Sequence, residues 1–273
     1  MNLKNIIQKS LEEDIYFGDI TTENLDIAKN TITAILVAKE KGILAGNFIF
    51  QQVFQEVDDK ITIKSNKKDG DLLSKGDEIA KIKGNAVSIL KAERVALNFL
   101  QRMSGIATLT NKFVQKIEGY KARLLDTRKT TPLLRILEKE AVRIGGGYNH
   151  RFGLFDMIML KENHIRAVGS IKEAVKQIRL SDTAHKIEVE VTNLKELHEA
   201  YLAKADRAML DNMSISEMKQ AVNQYEDKIE LEASGNININ NIKEVAATGV
   251  DFISSGSLTH SYKSLDISLL FKE

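Results

Sequence analysis

The sequence predicts an α/β protein whose C-terminal part is a (β/α) barrel with fewer than eight strands, preceded by a mixed α/β region. Three observations carry this. After Tyr120, short apolar runs alternate with amphipathic helical stretches, the rhythm of parallel strands joined by crossover helices. Each run is followed by polar or charged residues at an equivalent place, as around the mouth of a barrel. Neither GxGxxG nor GxxxxGKS/T occurs, which places a doubly wound nucleotide fold behind the barrel. The chain has 273 residues and 43% hydrophobic content, enough to bury a proper core and too apolar for a disordered chain.

The elements follow in order. An amphipathic start (Leu3, Ile6, Ile7, Leu11) leads through GDITT into β-like runs at Thr31–Lys39 and Ile61–Lys64. The segment KDGDLLSKGDEIAKIKG alternates apolar and polar residues around Gly70, Gly76 and Gly84, as hairpin strands do. It has a superficial likeness to a lipoyl-type carrier hairpin, but no carrier-lysine motif sits at its tip. From Val87 to about Glu118 the period turns helical, with Val95, Phe99, Leu100 and Met103 on one stripe. Then come ARLLD, FDMIML, IEVEV, RAMLD, IELEA and DFISS, with helical stretches starting near Thr131, Ser170, Asn193, Ser214 and Asn240. These are six clear units, with room for one more hidden.

Charge narrows the function. With 39 Lys+Arg against 38 Asp+Glu, the net charge of +1 lacks the general footprint of a nucleic-acid or membrane-surface binder. The absence of cysteine excludes disulfide scaffolds, thiolate metal sites and cysteine nucleophiles. No apolar run is long enough to cross a bilayer, and MNLKNIIQKSLEEDI turns acidic where a signal peptide needs its apolar core. A cytoplasmic protein is expected.

Chemistry collects after the strands. Thr127, Arg128 and Lys129 follow the first run; Lys161, Glu162, Asn163 and His164 follow the second. Glu190, Asp211, Ser234, Gly235 and Gly256 mark the other ends. Taken singly, an acid or serine after a strand is a helix N-cap, and Asp211 and Ser234 alone would be read that way. Six in register point to a shared site. In IEVEV, Glu188 and Glu190 alternate with Ile187, Val189 and Val191, so both acids share one face. On a buried strand they require cations, a metal or a hydroxylated ligand; the alternative is an edge strand with a wet face.

The basic signal is densest in RKTTPLLRILEKEAVRIGGGYNHR. Pro132 fits a first helical position after Thr130 and Thr131, and Gly145 fits the stop. The helix brackets Arg128/Lys129 and His150/Arg151, while Arg135, Lys139 and Arg143 read as a solvated face. Arg94 shares a polar helix side with Asn98 and Gln101. An ion pair at roughly 4 Å is worth about 4 kcal/mol at an effective dielectric near 20. Several cations facing Glu190 and Asp211 therefore suit a polyanion that also brings hydroxyls and a divalent metal, such as a sugar phosphate with a diphosphate.

Long stretches carry a resemblance: EEDIYFGDITT, AERVALNFLQRMSGIAT, LLDTRKTTP, GGGYNHRFGLFDMIMLKENH, IEVEV, MLDNM, EASGNI and ISSGSLTHS. The chain resembles the quinolinate phosphoribosyltransferase family nearly end to end. Two departures are Tyr148, where His is usual before NHR, and Leu133, where Gly is usual after Pro132; they bear on substrate fine-tuning rather than on the reaction.

The resemblance implies an N-terminal α/β open sandwich over 1–103, joined by a helix returning over 262–273, and a barrel over 104–261. It implies a pentosyltransferase that makes nicotinate mononucleotide, diphosphate and CO2 from quinolinate and phosphoribosyl diphosphate, with Mg2+, in de novo NAD biosynthesis. A homodimer or hexamer with shared sites is implied too, Arg94 reaching into the neighbour's site. By position, Arg128, His150, Arg151 and Lys161 look like the pocket for the two carboxylates, and Lys129 would touch both substrates. Glu190 and Asp211 match the acids near the ribose and the metal, directly or through water. Lys129, Glu190 and Asp211 are thus the expected catalytic set. Ser234, Gly235, Ser255 and Gly256 fall where backbone amides hold the ribose phosphate. The alternatives are a paralogue of this fold tied to molybdenum transport and a non-catalytic phosphoribosyl-binding scaffold. The full basic set favours the first reading over the paralogue, and intact Lys129, Glu190 and Asp211 favour it over the scaffold.

Overall fold

Every apolar run after Tyr120 forms a strand, and all six pair in parallel in a computed structural model that describes residues 2–271. In chain order the first elements are α1 (Leu3–Ile15), β1 (Thr31–Ala38), β2 (Gly42–Ile43), α2 (Asn47–Val57), β3 (Thr62–Ser65), β4 (Leu72–Leu73), β5 (Glu78–Asn85) and α3 (Ala86–Lys116). Next come β6 (Arg123–Leu125), α4 (Arg135–Ile144), β7 (Ile158–Leu160), α5 (Glu162–Val168), α6 (Ile171–Ser181) and β8 (Ile187–Val191). The last are α7 (Leu194–Leu202), β9 (Arg207–Asp211), α8 (Ile215–Tyr225), β10 (Glu230–Ser234), α9 (Ile242–Ala246), β11 (Phe252–Ser254), α10 (Ser257–His260) and β12 (Ile267–Phe271). Contacts divide the chain into two units. The first takes the chain through Asn111, residues 131–146 and the stretch from Tyr262; the second takes residues 112–130 and 147–261.

In the first unit an antiparallel sheet runs β12-β1-β5-β3. Helix α2 turns Ile49, Phe50, Val53 and Phe54 into the core, the spacing of an amphipathic helix. Two expectations need correcting here. The segment around Gly70 and Gly76 is not a hairpin: β4 pairs with β2, while β5 lies between β1 and β3. Strand β5 buries Ile79, Ala80 and Ile82, so it takes the central, two-sided place. The returning helix over 262–273 is instead strand β12, antiparallel to β1 from Ala34↔Phe271 to Ala38↔Ile267. Its sequence ISLLF buries Ile267 and Leu269, two residues apart, which is the strand period; residues 272 and 273 lie outside the described residues.

Helix α4 also departs from expectation. Pro132 does not open it, because Leu133 takes a left-handed φ of 68° and the helix begins only at Arg135. A side chain in that conformation costs about 1–2 kcal/mol. Lys139, expected on a solvated face, is buried together with Glu138. Glu138 accepts hydrogen bonds from Arg102 Nε (3.0 Å) and the Thr131 N–H (3.1 Å), which holds the turn before the helix. Gly145 follows as expected. A Cβ there would sit 2.5 Å from the Ala107 carbonyl oxygen, so only glycine fits.

In the second unit the parallel sheet runs β6-β11-β10-β9-β8-β7. Ser170, Asn193 and Ser214 cap α6, α7 and α8, each side chain accepting from the N–H of a glutamate three residues on. A parallel bridge between Leu125 and Tyr148 adds the trace of a further strand beside β6, the hidden unit. His150 lies just past that bridge, yet its Nε2 is 2.9 Å from Glu188 on β8. In a flat sheet those positions would be roughly 24 Å apart at about 4.8 Å per strand. The sheet is therefore rolled, and one face has become an interior. Strand β8 pairs with both β7 and β9, which removes the edge-strand reading of its two acids.

Candidate active site

The strand ends of the second unit surround a cleft of ≈ 760 Å³. Strand β6 leads into Thr127, Arg128 and Lys129; the bridged segment supplies His150 and Arg151; β7 supplies Met159 and leads into Lys161. Glu190 comes from β8, Asp211 from β9, Ser234 and Gly235 from β10, and Ser255 and Gly256 from β11. Arg94, on α3 of the first unit, is not among the residues that line this cleft, nor are Glu162, Asn163 and His164, which follow β7.

Two acids and a lysine dominate one wall. Lys161 Nζ is 2.9 Å from Glu190 Oε2, with the lysine half exposed. Burial and then the neighbouring Glu190 push the Asp211 carboxyl above its ordinary range, while Asn212 Nδ2 donates to it at 2.9 Å. Two carboxylates crowded in this way are stabilised by added positive charge. His164, which follows the second apolar run, plays a local part: its Nδ1 accepts the Lys161 N–H at 3.0 Å and caps α5.

The opposite imbalance lies at Arg151. Burial and then the Arg128 charge lower its pKa, so two guanidinium groups repel each other inside the cleft. Arg151 Nη1 donates to the Met157 carbonyl at 3.2 Å, which fixes the side chain. Such a pair is the electrostatic complement of an anion with more than one charge. Lys129 is set by its backbone: its N–H donates to Thr127 Oγ1 (3.0 Å) and its carbonyl accepts from Thr259 Oγ1 (2.8 Å).

At the far end the backbone matters most. Gly235 has φ +95°, and a Cβ there would meet Asn212 Oδ1 at 2.2 Å. The Ser255 amide expected to serve a phosphate is already committed, since it donates to the Leu125 carbonyl at 3.1 Å as part of the strand ladder. Asn212 and Asn236 were not singled out by sequence. Both line the cleft, both have left-handed φ (55° and 54°), and Asn236 Nδ2 donates to Asn212 Oδ1 at 3.0 Å. The available signal was an asparagine directly after a strand end in MLDN and in ASGN, the residue type that best tolerates this conformation. His260 and Ser257 also line the cleft from α10.

Beneath the cleft lies a buried ionic layer. Glu188 and Glu232 are fully buried, and His150 Nε2 is 2.9 Å from the first and 3.4 Å from the second. Arg207 Nη1 reaches Glu232 at 3.2 Å, and its Nη2 reaches Glu230 at 3.0 Å. Burial pulls His150 down, but hydrogen bonds and charge from the two acids overcome it and carry the ring from 6.5 to about 9. Burial and Glu232 push Glu188 up; for Glu232, burial is outweighed by His150, Ser254 and Arg207, which hold it low. The Arg151 N–H donates to His150 Nδ1 at 2.7 Å, which requires a lone pair on that nitrogen. His150 and Glu188 therefore titrate as one buried pair that shares an extra proton.

Two acid groups invite a metal. His150, Glu188 and Glu232 offer three donors within 4.8 Å of one another. Arg207 already supplies positive charge to Glu232, and the two acids raise the His150 ring to about 9, so this trio reads as an ion-pair network. Glu190 and Asp211 are hard oxygen donors in the open cleft, where the two carboxylates crowd each other with like charge. Their chemistry fits magnesium.

Comparison with known proteins agrees in extent. A family model described as quinolinate phosphoribosyl transferase, C-terminal domain, matches residues 106–270, and its N-terminal counterpart matches residues 19–104. The chain is 45% identical to a probable nicotinate-nucleotide pyrophosphorylase [carboxylating] of Bacillus subtilis, over 98% of this chain and 93% of that protein. A chloroplastic nicotinate-nucleotide pyrophosphorylase [carboxylating] of Arabidopsis thaliana is 42% identical, over 98% of this chain and 82% of that protein. The structure of the nicotinate-nucleotide pyrophosphorylase from Francisella tularensis superposes with a TM-score of 0.96 at 46% identity, covering 99% and 96% of the two chains. Among the described residues, no helix is long and apolar enough to cross a membrane.

Proposed function

The chain belongs to the quinolinate phosphoribosyltransferase family, and on that premise we propose that its cleft is where quinolinate and phosphoribosyl diphosphate react. The reaction joins the pyridine nitrogen to C1 of the ribose, releases diphosphate and then CO2, and yields nicotinate mononucleotide for NAD biosynthesis. One observation carries the site assignment: Arg128, Arg151 and Lys161 converge on the same cleft as Glu190 and Asp211.

The residues divide the work by charge. Arg128 and Arg151 hold the two carboxylates, with Lys161 beside them and His150 in the floor, so the ring nitrogen is aimed at C1; this is catalysis by positioning. No general base is required, because the pyridine nitrogen already carries the attacking lone pair. Lys129 lies between the two substrates and stabilises charge growing on the departing diphosphate. Glu190 and Asp211 bind the ribose hydroxyls, favour positive charge at C1, and would hold magnesium directly or through water. When bound with the diphosphate, that ion supplies Lewis-acid stabilisation of the leaving group. After the C–N bond forms, the carbon–carbon bond to the adjacent carboxylate breaks. Its electron pair stays on the ring carbon, stabilised by the neighbouring quaternary nitrogen until a proton from water replaces it. The Gly235 and Gly256 turns face the ribose phosphate.

We also propose a cytoplasmic assembly of two or more copies, dimer or hexamer, with Arg94 serving the cleft of a neighbouring copy. Its place on α3 of the first unit, outside the residues that line the cleft, supports this. Production of nicotinate mononucleotide from quinolinate, phosphoribosyl diphosphate and magnesium tests the reaction. Calorimetry with Arg151→Ala and Lys161→Ala tests the assignments: quinolinate binding is lost while phosphoribosyl diphosphate binding persists. Unchanged affinity for both ligands rejects them. Mixing inactive Arg94→Ala with inactive Lys161→Ala protein regenerates activity if the sites are shared, and none under proven subunit exchange if they are not.

A further inference from the structure

We infer that His150, Glu188 and Glu232 are positioning residues for Arg151, a buried strut that seats this cation beneath quinolinate, and that His150 itself makes no bond to the substrate. The inference rests on the assignment of Arg151 to the quinolinate carboxylates. It goes further by giving the histidine a different role from the arginine that follows it.

Both ring nitrogens of His150 face groups of the protein. Nε2 faces Glu188 and Glu232, and Nδ1 accepts the Arg151 N–H at 2.7 Å. The ring is almost wholly buried, with 4% of its side chain exposed, so little of it remains for a ligand. The His150 N–H adds a third anchor, donating to Asp126 Oδ1 at 2.9 Å just past β6. One residue thus ties the segment after β6 to β8 and β10, and through Glu232 it reaches Arg207 on β9. Arg151 inherits that rigidity at its backbone, while the Met157 carbonyl holds its guanidinium. A cation that repels Arg128 would otherwise swing toward solvent; clamping it at both ends keeps the repulsion directed at the substrate. Glu188 and Glu232 do not line the cleft, so their effect on quinolinate is indirect, through His150 and through the charge that Glu188 presents to Arg151.

A double-mutant cycle decides this. Quinolinate and phosphoribosyl diphosphate affinities are measured by calorimetry for His150→Ala, Arg151→Ala and the double variant, with thermal denaturation as the folding control. Alone, His150→Ala is expected to weaken quinolinate by about tenfold, the loss of one hydrogen-bonded support, and to leave phosphoribosyl diphosphate unchanged. In the Arg151→Ala background the same change is expected to add less than about twofold. Full multiplication of the two effects would overturn the inference and make His150 a direct ligand. Unchanged quinolinate binding in Arg151→Ala would overturn the site assignment, and this inference with it. From below, folded Glu232→Gln is expected to weaken quinolinate severalfold without touching phosphoribosyl diphosphate; no change there would also overturn it. If Glu232→Gln does not fold, His150→Asn takes its place. It keeps an acceptor where Nδ1 stood and is expected to recover most of the affinity lost in His150→Ala; no recovery counts against the strut.

Discussion

Glu188 and Glu190 stand two residues apart on one face of one strand, yet they belong to different regions of the barrel interior. Glu190 lies in the upper layer, open to the cleft, and pairs with a half-exposed Lys161. Glu188 lies in the lower layer, fully buried, with His150, Glu232 and Arg207. The same carboxylate therefore meets two electrostatic regimes. Exposed ion pairs contribute little to stability because water competes for both partners. A buried pair that loses one member leaves the other desolvated and uncompensated. The upper layer is free to exchange its partners for substrate groups, whereas the lower layer holds the geometry.

Breaking the lower layer has the largest expected effect. Glu232→Ala leaves His150 and Arg207 without their shared acid and is expected to cost about 3–5 kcal/mol of stability, read by urea denaturation. A change under about 1 kcal/mol would mean that the layer is no different from a surface pair.

Titration gives the next effect. His150 is raised from 6.5 to about 9, so the folded chain keeps a proton that the unfolded chain releases. This stabilisation is complete below pH 6.5 and is lost as pH rises through about 9, on the order of 3 kcal/mol. Denaturation across that window should slope downward in the parent protein and be flat in His150→Asn.

For the upper layer the expectation inverts. Glu190→Gln should lower kcat/KM by about 100-fold. Its stability should move by less than about 1 kcal/mol. If stability fell as far as in Glu232→Ala, the contrast between the layers would collapse. The smallest effect is a calibration outside both layers: Leu133→Gly relieves a left-handed φ of 68° and should raise stability by about 1 kcal/mol on thermal denaturation.

Much of this was legible before any coordinates. The period of two in IEVEV places both acids on one face, and the strand-end residues name the cleft, except for Glu162, Asn163 and His164. The N-caps Ser170, Asn193 and Ser214 were readable because capping is local. What escaped depended on contacts distant in sequence. Lys139 looked like a solvated lysine by its neighbours, and only the packed unit shows it buried. The resemblance implies a helix over 262–273, whereas pairing with β1, more than two hundred residues away in the chain, makes this segment strand β12. Asn212 and Asn236 are linked by a hydrogen bond between two strand ends that sequence does not show to be adjacent.

By itself the sequence determined the strand–helix rhythm, the inward face of β8 and the set of charged residues offered to the cleft, because each follows from local period or from residue type. Which of those charges are buried was decided only by tertiary structure. Rolling the sheet brings His150 against strands far across it, and dielectric surroundings depend on every neighbour at once. That is why Glu188 and Glu190, alike in the chain, part company in the fold.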